Sequence, residues 1–254
     1  MNFSELLGVE IIGLVFVLVF LALIILFIVY ERSQKLNPLR PIRAFDRLRR
    51  EIGLAVEAGK RLHVSLGRGG ITGLEGGSAL VGLSTLDRIA RTASISDRPP
   101  VATSGDGTLT LLSQNTARGV FTSIGLENQF EPSSGRLVGV TPFSYAAGTL
   151  PVIYDEQVAA NILAGHFGSE VALITDAAER SGGMTLGGSD NLSAQAVLYA
   201  ASDEPLIGEE LYATGAYLKA GPAHNASVRA QDVFRWVLIA VILVGAALKF
   251  FGIL

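Results

Sequence analysis

Residues 61–93 read RLHVSLGRGGITGLEGGSALVGLSTLDRIARTA, and the way this stretch folds decides the rest. Leu62, Val64 and Leu66 alternate with Arg61, His63 and Ser65, the pattern of a half-buried strand. Glycines crowd the segment GRGGITGLEGGS at 67–78. Ser78 is a helix-capping residue type, and behind it Leu80, Leu83, Leu86, Ile89 and Ala90 mark one helical face. A strand, a glycine-rich turn and a helix in that order make half of a β–α–β unit.

The alternation repeats outward. Residues 101–103 form a short strand behind Pro99 and Pro100, and the turn SGDG leads into a helix over 108–124 with Asp106 as its cap. The run RLVGVT at 136–141 is the next strand, and 142–148 forms a short helix. Residues 155–167 are expected to be helical, with Val158, Ile162 and Leu163 on the apolar face. The run VALIT at 171–175 is short, apolar and bounded by Gly168 and Asp176, as in the centre of a parallel sheet. Residues 184–187 form a further strand, and 191–201 and 208–218 are helices separated at Pro205. Strand and helix alternate about five times, which predicts an α/β domain over 61–225 with a mostly parallel sheet and helices on both faces.

The domain is expected between two transmembrane helices. Residues 11–30, IIGLVFVLVFLALIILFIVY, carry no charge, and twenty residues at 1.5 Å each span about 30 Å, the hydrocarbon thickness of a bilayer. No small-residue cleavage site follows them, so they read as a retained anchor behind a short external tail, 1–10. Residues 31–50 hold seven Lys and Arg against Glu31 and Asp46. Arg32, Lys35, Arg40, Arg43, Arg47, Arg49 and Arg50 lie where such bias sets orientation, which places the domain in the cytoplasm. Pro38 and Pro41 break the helix, and Ile42, Phe45, Leu48, Ile52 and Val56 then trace an amphipathic helix within the juxtamembrane segment 31–60. It is read two ways: as a helix on anionic lipid, held by Arg40, Arg43, Arg47, Arg49 and Arg50, or as one that connects to or packs on the domain. Residues 233–254 form the second span, with Lys249 near enough to its end to reach the interface. A two-pass protein of the cell inner membrane results, with both termini outside.

Composition excludes several chemistries. The 254 residues include no cysteine, which removes disulfides, thiolate metal sites and a cysteine nucleophile. Residues 51–232 carry nineteen Asp and Glu against eleven Lys and Arg, a balance that repels nucleic acid. The glycine-rich turn invites a phosphate, but it matches neither GxxxxGK[ST] nor GxGxxG, and no lysine occurs between Arg61 and Leu218. His63, His166 and His224 stand at no metal-ligand spacing, no GxSxG occurs, and the SDN at 189–191 lacks its companion motifs. Asp203, Glu204, Glu209 and Glu210 cluster around Pro205 as a solvated face or a seat for a basic partner.

The segment FGSEVALITDAAERSGGMTLGGSDNLSAQAVLYAASDEPLIGEELYATGAYL, 167–218, resembles the core of a family of uncharacterised bacterial membrane-anchored α/β proteins. Its marks are the turn Gly187-Gly188-Ser189-Asp190 and the stretch DEPLIGEEL. The resemblance implies the layout of anchor, α/β domain and C-terminal span, and carries over no activity, cofactor or site. The resulting expectation is a non-enzymatic membrane protein whose cytoplasmic domain mediates assembly, as a homo-oligomer or a subunit of a larger complex, with no cofactor and no metal. The alternative is a ligand-binding or sensory domain using the crevice at the strand carboxyl ends, near Gly69, Ser104, Asp106, Asp176 and Asp190.

Overall fold

The computed structural model describes residues 3–33, 39–93, 96 and 98–252, with the backbone alone for 3–10 and 31–33. Lys35 and Pro38 of the basic segment lie outside the described residues, as do 1–2 and 253–254. In chain order the elements are α1 (Phe3–Ser33), α2 (Arg43–Glu57), β1 (Arg61–Gly67), α3 (Gly76–Ala93), β2 (Val101–Ser104), α4 (Gly107–Ser123), β3 (Gly135–Leu137), α5 (Pro142–Asp155), β4 (Val158–His166), α6 (Val171–Arg180), β5 (Met184–Ser189), α7 (Leu192–Ala201), β6 (Glu204–Leu206), α8 (Glu210–Tyr217) and α9 (Pro222–Phe250). They fall into two compact units, Pro41–Leu218 and the pair of end segments Met1–Arg40 and Lys219–Leu254.

The first unit holds one six-stranded sheet in the order β3-β2-β1-β4-β5-β6, with every neighbouring pair parallel. Winding starts at β1, steps outward to β3, crosses back through α5 to β4 and steps outward the other way. Both faces are covered. Leu62, Val64, Leu66, Ile162 and Leu186 point into a core closed by α2, α3 and Leu109 of α4, and α8 packs on α3. Leu163 faces a second core of Tyr145, Ile153, Phe167, Val171, Ile174 and Leu198 from the elements α5 to α7 and the turn after β4. Each fully buried Leu or Ile contributes about 2 kcal/mol of transfer free energy.

Several expectations need correction. β1 is not half-buried: His63 and Ser65 are as inaccessible as Leu62, because a central strand between two helical layers has no solvent face. Residues 158–166 are β4, not a helix. Their alanines and glycine are poor strand formers locally, but the segment is paired on both sides, and a Cβ at Gly165 would overlap the Leu66 carbonyl oxygen of β1. VALIT is the opening of α6, not a strand. Val171, Ile174, Ala177 and Ala178 form one buried helical face, which the five apolar residues alone do not reveal. The helix at 142–148 runs on to Asp155 through the exposed Pro151, and the strand at 136–141 shortens to β3. Ser78 sits inside the first turn of α3 rather than capping it. β6 was not anticipated. Pro205 is its central residue, paired with Gly187, which an edge strand tolerates.

The amphipathic helix is α2, and its apolar face enters the domain core. Ala44, Phe45, Leu48, Ile52 and Ala55 are buried, and the Phe45 ring stacks on Tyr217 at 4.9 Å and 6°. On its polar side Arg47 bonds Asp203 and Glu204 at 3.1 and 3.3 Å.

In the second unit, α1 and α9 run side by side, and Phe234 meets Phe16 and Phe20 with ring centroids 4.6 and 5.8 Å apart. Ile11–Tyr30 and Pro222–Phe250 are both long and apolar enough to cross a membrane. The second begins well before residue 233, so the polar 222–232 and the expected span share one helix.

Candidate crevice at the winding reversal

Winding reverses between β1 and β4, and in open α/β sheets the crevice outside the carboxyl ends of such strands is where ligands bind. The order here is that of doubly wound dinucleotide-binding sheets. β1 and β4 stay paired to Gly67 opposite His166, and the Arg68 N–H donates to the His166 carbonyl at 2.9 Å. Gly67 has φ +74, and a Cβ there would overlap that carbonyl, so the turn requires glycine. A Cβ at Gly69 would lie 2.8 Å from the Cβ atoms of both His166 and Glu75. The glycine-rich loop thus lies against His166 before entering α3.

Three side chains join across this end. The Nδ1 of His166 stands 2.8 Å from Oδ1 of Asp190, and the Ser78 hydroxyl stands 2.8 Å from Oδ2. The segment Ser189-Asp190-Asn191 divides its work. The Ser189 hydroxyl accepts the Phe167 and Asn191 N–H groups and fastens β5 to β4. Asp190 faces His166, and Asn191 caps α7 by accepting the N–H groups of Ser193 and Ala194.

Arg68 lies beside this group. Its stem passes Gly105, where a Cβ would lie 2.6 Å from its Cγ, and its Nε donates to Glu170 at 2.9 Å. Burial alone would push the Glu170 carboxyl up, but the Gly168 N–H and Arg68 bonded to it hold it below the usual carboxylate range. Tyr212 packs toward Gly77, and partial burial, then the Asp190 charge, push its phenol up.

The candidates read from sequence separate. Gly69, Asp106 and Asp190 lie at this end of the sheet, with Asp106 Oδ2 4.0 Å from the Cβ position of Gly70. Asp106 is also the cap of α4, accepting the Leu109 N–H at 2.8 Å. Ser104 closes β2, but its buried hydroxyl is spent on Thr110 at 2.6 Å and the Asp106 carbonyl. Asp176 is a correction: it lies midway along α6, paired with Arg180 at 2.8 Å, and takes no part. His166, Ser78, Arg68 and Glu170 were missed, because only the β4–β5 pairing brings His166 to Asp190. Among the described residues no three His, Asp or Glu side chains group as metal ligands.

Beneath the crevice a buried polar layer supports β1. His63 bonds Asn161 at 2.9 Å and Thr103 at 2.8 Å, while the Tyr145 hydroxyl meets Ser65 at 2.6 Å and accepts the Gly67 N–H at 3.2 Å. Burial pushes the Tyr145 phenol up despite these bonds, so it stays a neutral donor.

No curated protein and no solved structure matches the chain. A family model does, over residues 6–254, and it is described as a domain of unknown function, DUF6754. With nearly its whole length matched, the chain belongs to the DUF6754 family.

Proposed function

We propose that this is a membrane-anchored protein whose α/β domain binds a small ligand in the crevice beyond β1 and β4. The observation that carries the reading is the chain Ser78–Asp190–His166, a set of polar side chains from α3, the β5 turn and the end of β4 converging at the winding reversal. The two apolar end helices support the anchoring. The basic residues after the first favour a cytoplasmic domain in the inner membrane of a bacterial cell with both termini outside. With the apolar face of α2 committed to the core, lipid contact would fall to its arginines. Arg43 and Arg50 have no ion-pair partner among the described residues and suit anionic headgroups best, with Arg40, Arg47 and Arg49 beside them. Thermal-shift screening of the full chain in lipid nanodiscs with nucleosides, sugars, nucleotides and metal ions is expected to yield stabilising compounds whose effect disappears in Ser78→Ala/Asp190→Asn. If no class shifts the midpoint, the reading fails.

Assembly is the second reading, without catalysis, as a homo-oligomer or within a larger membrane complex. α7 carries no charged side chain, α5 none before Asp155, and Phe143, Leu192 and Tyr199 are 75, 81 and 72% exposed. On this reading the detergent-solubilised chain runs as a multimer by light scattering, and Phe143→Arg/Tyr199→Arg shifts it to monomer. A wild-type monomer in both detergent and native lipid would sink it.

A further inference from the structure

Resting on the crevice reading, we infer the ligand's class: an uncharged polyol of sugar or nucleoside type that donates a hydroxyl hydrogen bond to Nε2 of His166. The imidazole is prepared for this. A carboxylate only accepts, so the neutral form of the ring keeps its proton on the Nδ1 that faces Asp190 and its lone pair on Nε2. Among the described residues Nε2 has no hydrogen-bond partner, and the side chain is 23% exposed. The Ser78 hydroxyl stands 2.8 Å from both the far oxygen of Asp190 and the Glu75 carbonyl oxygen, and its one proton is shared between these two acceptors.

Charge decides against a phosphate. Glu75, Asp106 and Asp190 border the glycine-rich loop, and the neighbouring cation, Arg68, is already bonded to the buried Glu170. An anion would be drawn to a helix N-terminus, yet the chain's own acids stand there. Asp106 accepts the Leu109 N–H of α4, and Asp190 is tied through Ser78 to the first turn of α3. A hydroxyl-bearing ligand meets no such repulsion. Carboxylates and an imidazole lone pair are the acceptors that hydroxyl donors satisfy. Tyr212 adds a flat apolar wall. It is 42% exposed, and its Cε1 lies 3.5 Å from the Cβ position of Gly77, beside the crevice mouth.

The test uses the full chain in nanodiscs, titrated calorimetrically with adenosine, ribose, glucose, AMP and inorganic phosphate. At least one of the three polyols is expected to bind. AMP should bind at least tenfold more weakly than adenosine, and phosphate not at all. His166→Phe should lower polyol affinity at least tenfold while the ligand-free melting midpoint stays within a few degrees. Asp190→Asn should do the same, because an amide can donate to Nδ1 and force the ring proton onto Nε2. If His166→Phe does not fold, Asp190→Asn carries the test. Absence of binding by all three polyols, or equal affinity in both variants, overturns the inference. Tighter binding of AMP or phosphate, lost in these variants, overturns the ligand class and leaves the crevice reading standing.

Discussion

Gly165→Ala is expected to lower the melting midpoint of the full chain by about 10 °C or more, or to leave no folded protein to purify. A Cβ at this position would overlap the Leu66 carbonyl oxygen and lie 2.6 Å from its carbon and 3.3 Å from the Gly67 nitrogen, all backbone atoms. A flexible side chain would yield, but paired backbone does not. β1 and β4 would have to part at the centre of the sheet. Their register explains the crowding. Ser65 pairs with Leu163 and Gly67 with His166, so β4 carries one residue more than β1 across this step. Such a bulge commonly re-aims a side chain beside a site, and glycine is the residue that permits close approach there. The bulge directly precedes His166. Overpacking typically costs 1–3 kcal/mol, and rigid backbone on both sides raises this to about 4 kcal/mol. At about 2–4 °C per kcal/mol for a domain of this size, the shift is about 10 °C. Gly119→Ala supplies the contrast. It lies within α4, has no neighbour within 4 Å of its Cβ position, and should raise stability by about 0.5–1 kcal/mol. Equal midpoints for the two variants would refute the account of the bulge.

The alternating architecture was legible because 61–93 combines two periodicities with a glycine turn between them, and the structure keeps all three parts. Misreadings fell where the local pattern is silent. VALIT has no periodicity to distinguish strand from helix, and its partners on the helical face, Ala177 and Ala178, lie beyond the apolar run. β4 reads as a helix because Val158, Ile162 and Leu163 fall at helical spacing. Its small residues answer instead to neighbours far along the chain, Leu66 and Gly82, which no local window contains. The same limit hid the site. His166 and Asp190 become neighbours because Gly165 pairs with Ser189, and each is the next residue along its chain. Once two strands are known to be adjacent and parallel, the residues just past their paired ends are candidates for contact. Gly69, Asp106 and Asp190 are read as candidates from their places after strands, and the structure puts them at the carboxyl end of the sheet. Asp176 failed because the strand before it is a helix.

Acidification from pH 6.5 toward 4 is expected to destabilise the chain by about 3 kcal/mol through His63 alone. Burial pushes this imidazole down to about 4, and its bond to Asn161 offsets only part of that. It sits on β1 with no accessible surface, between Asn161 and Thr103. Nδ1–H donates to the Asn161 oxygen, and Nε2 accepts the Thr103 hydroxyl, which is the neutral ring fully satisfied. Protonation would put a second N–H where the Thr103 hydroxyl now donates. The sign follows from proton counts. Between pH 4 and 6.5 the unfolded chain binds a proton at this histidine and the folded chain does not, so stability rises with pH through that window. It is fully present above about 6.5, the unfolded value, and falls by about 1.4 kcal/mol per pH unit below it. The curve flattens near 4, where both states carry the proton. Other groups titrate in the same range, so the measurement is a difference. Urea unfolding of the wild type and of His63→Gln is followed at half-unit steps from pH 4 to 7.5. Glutamine keeps a donor and an acceptor but has no proton to gain. The wild-type curve should therefore be steeper by about one proton's worth between 4.5 and 6, and parallel to the variant's above 7. Parallel curves throughout would mean that His63 is not held neutral, and the buried polar layer under the crevice would need another description.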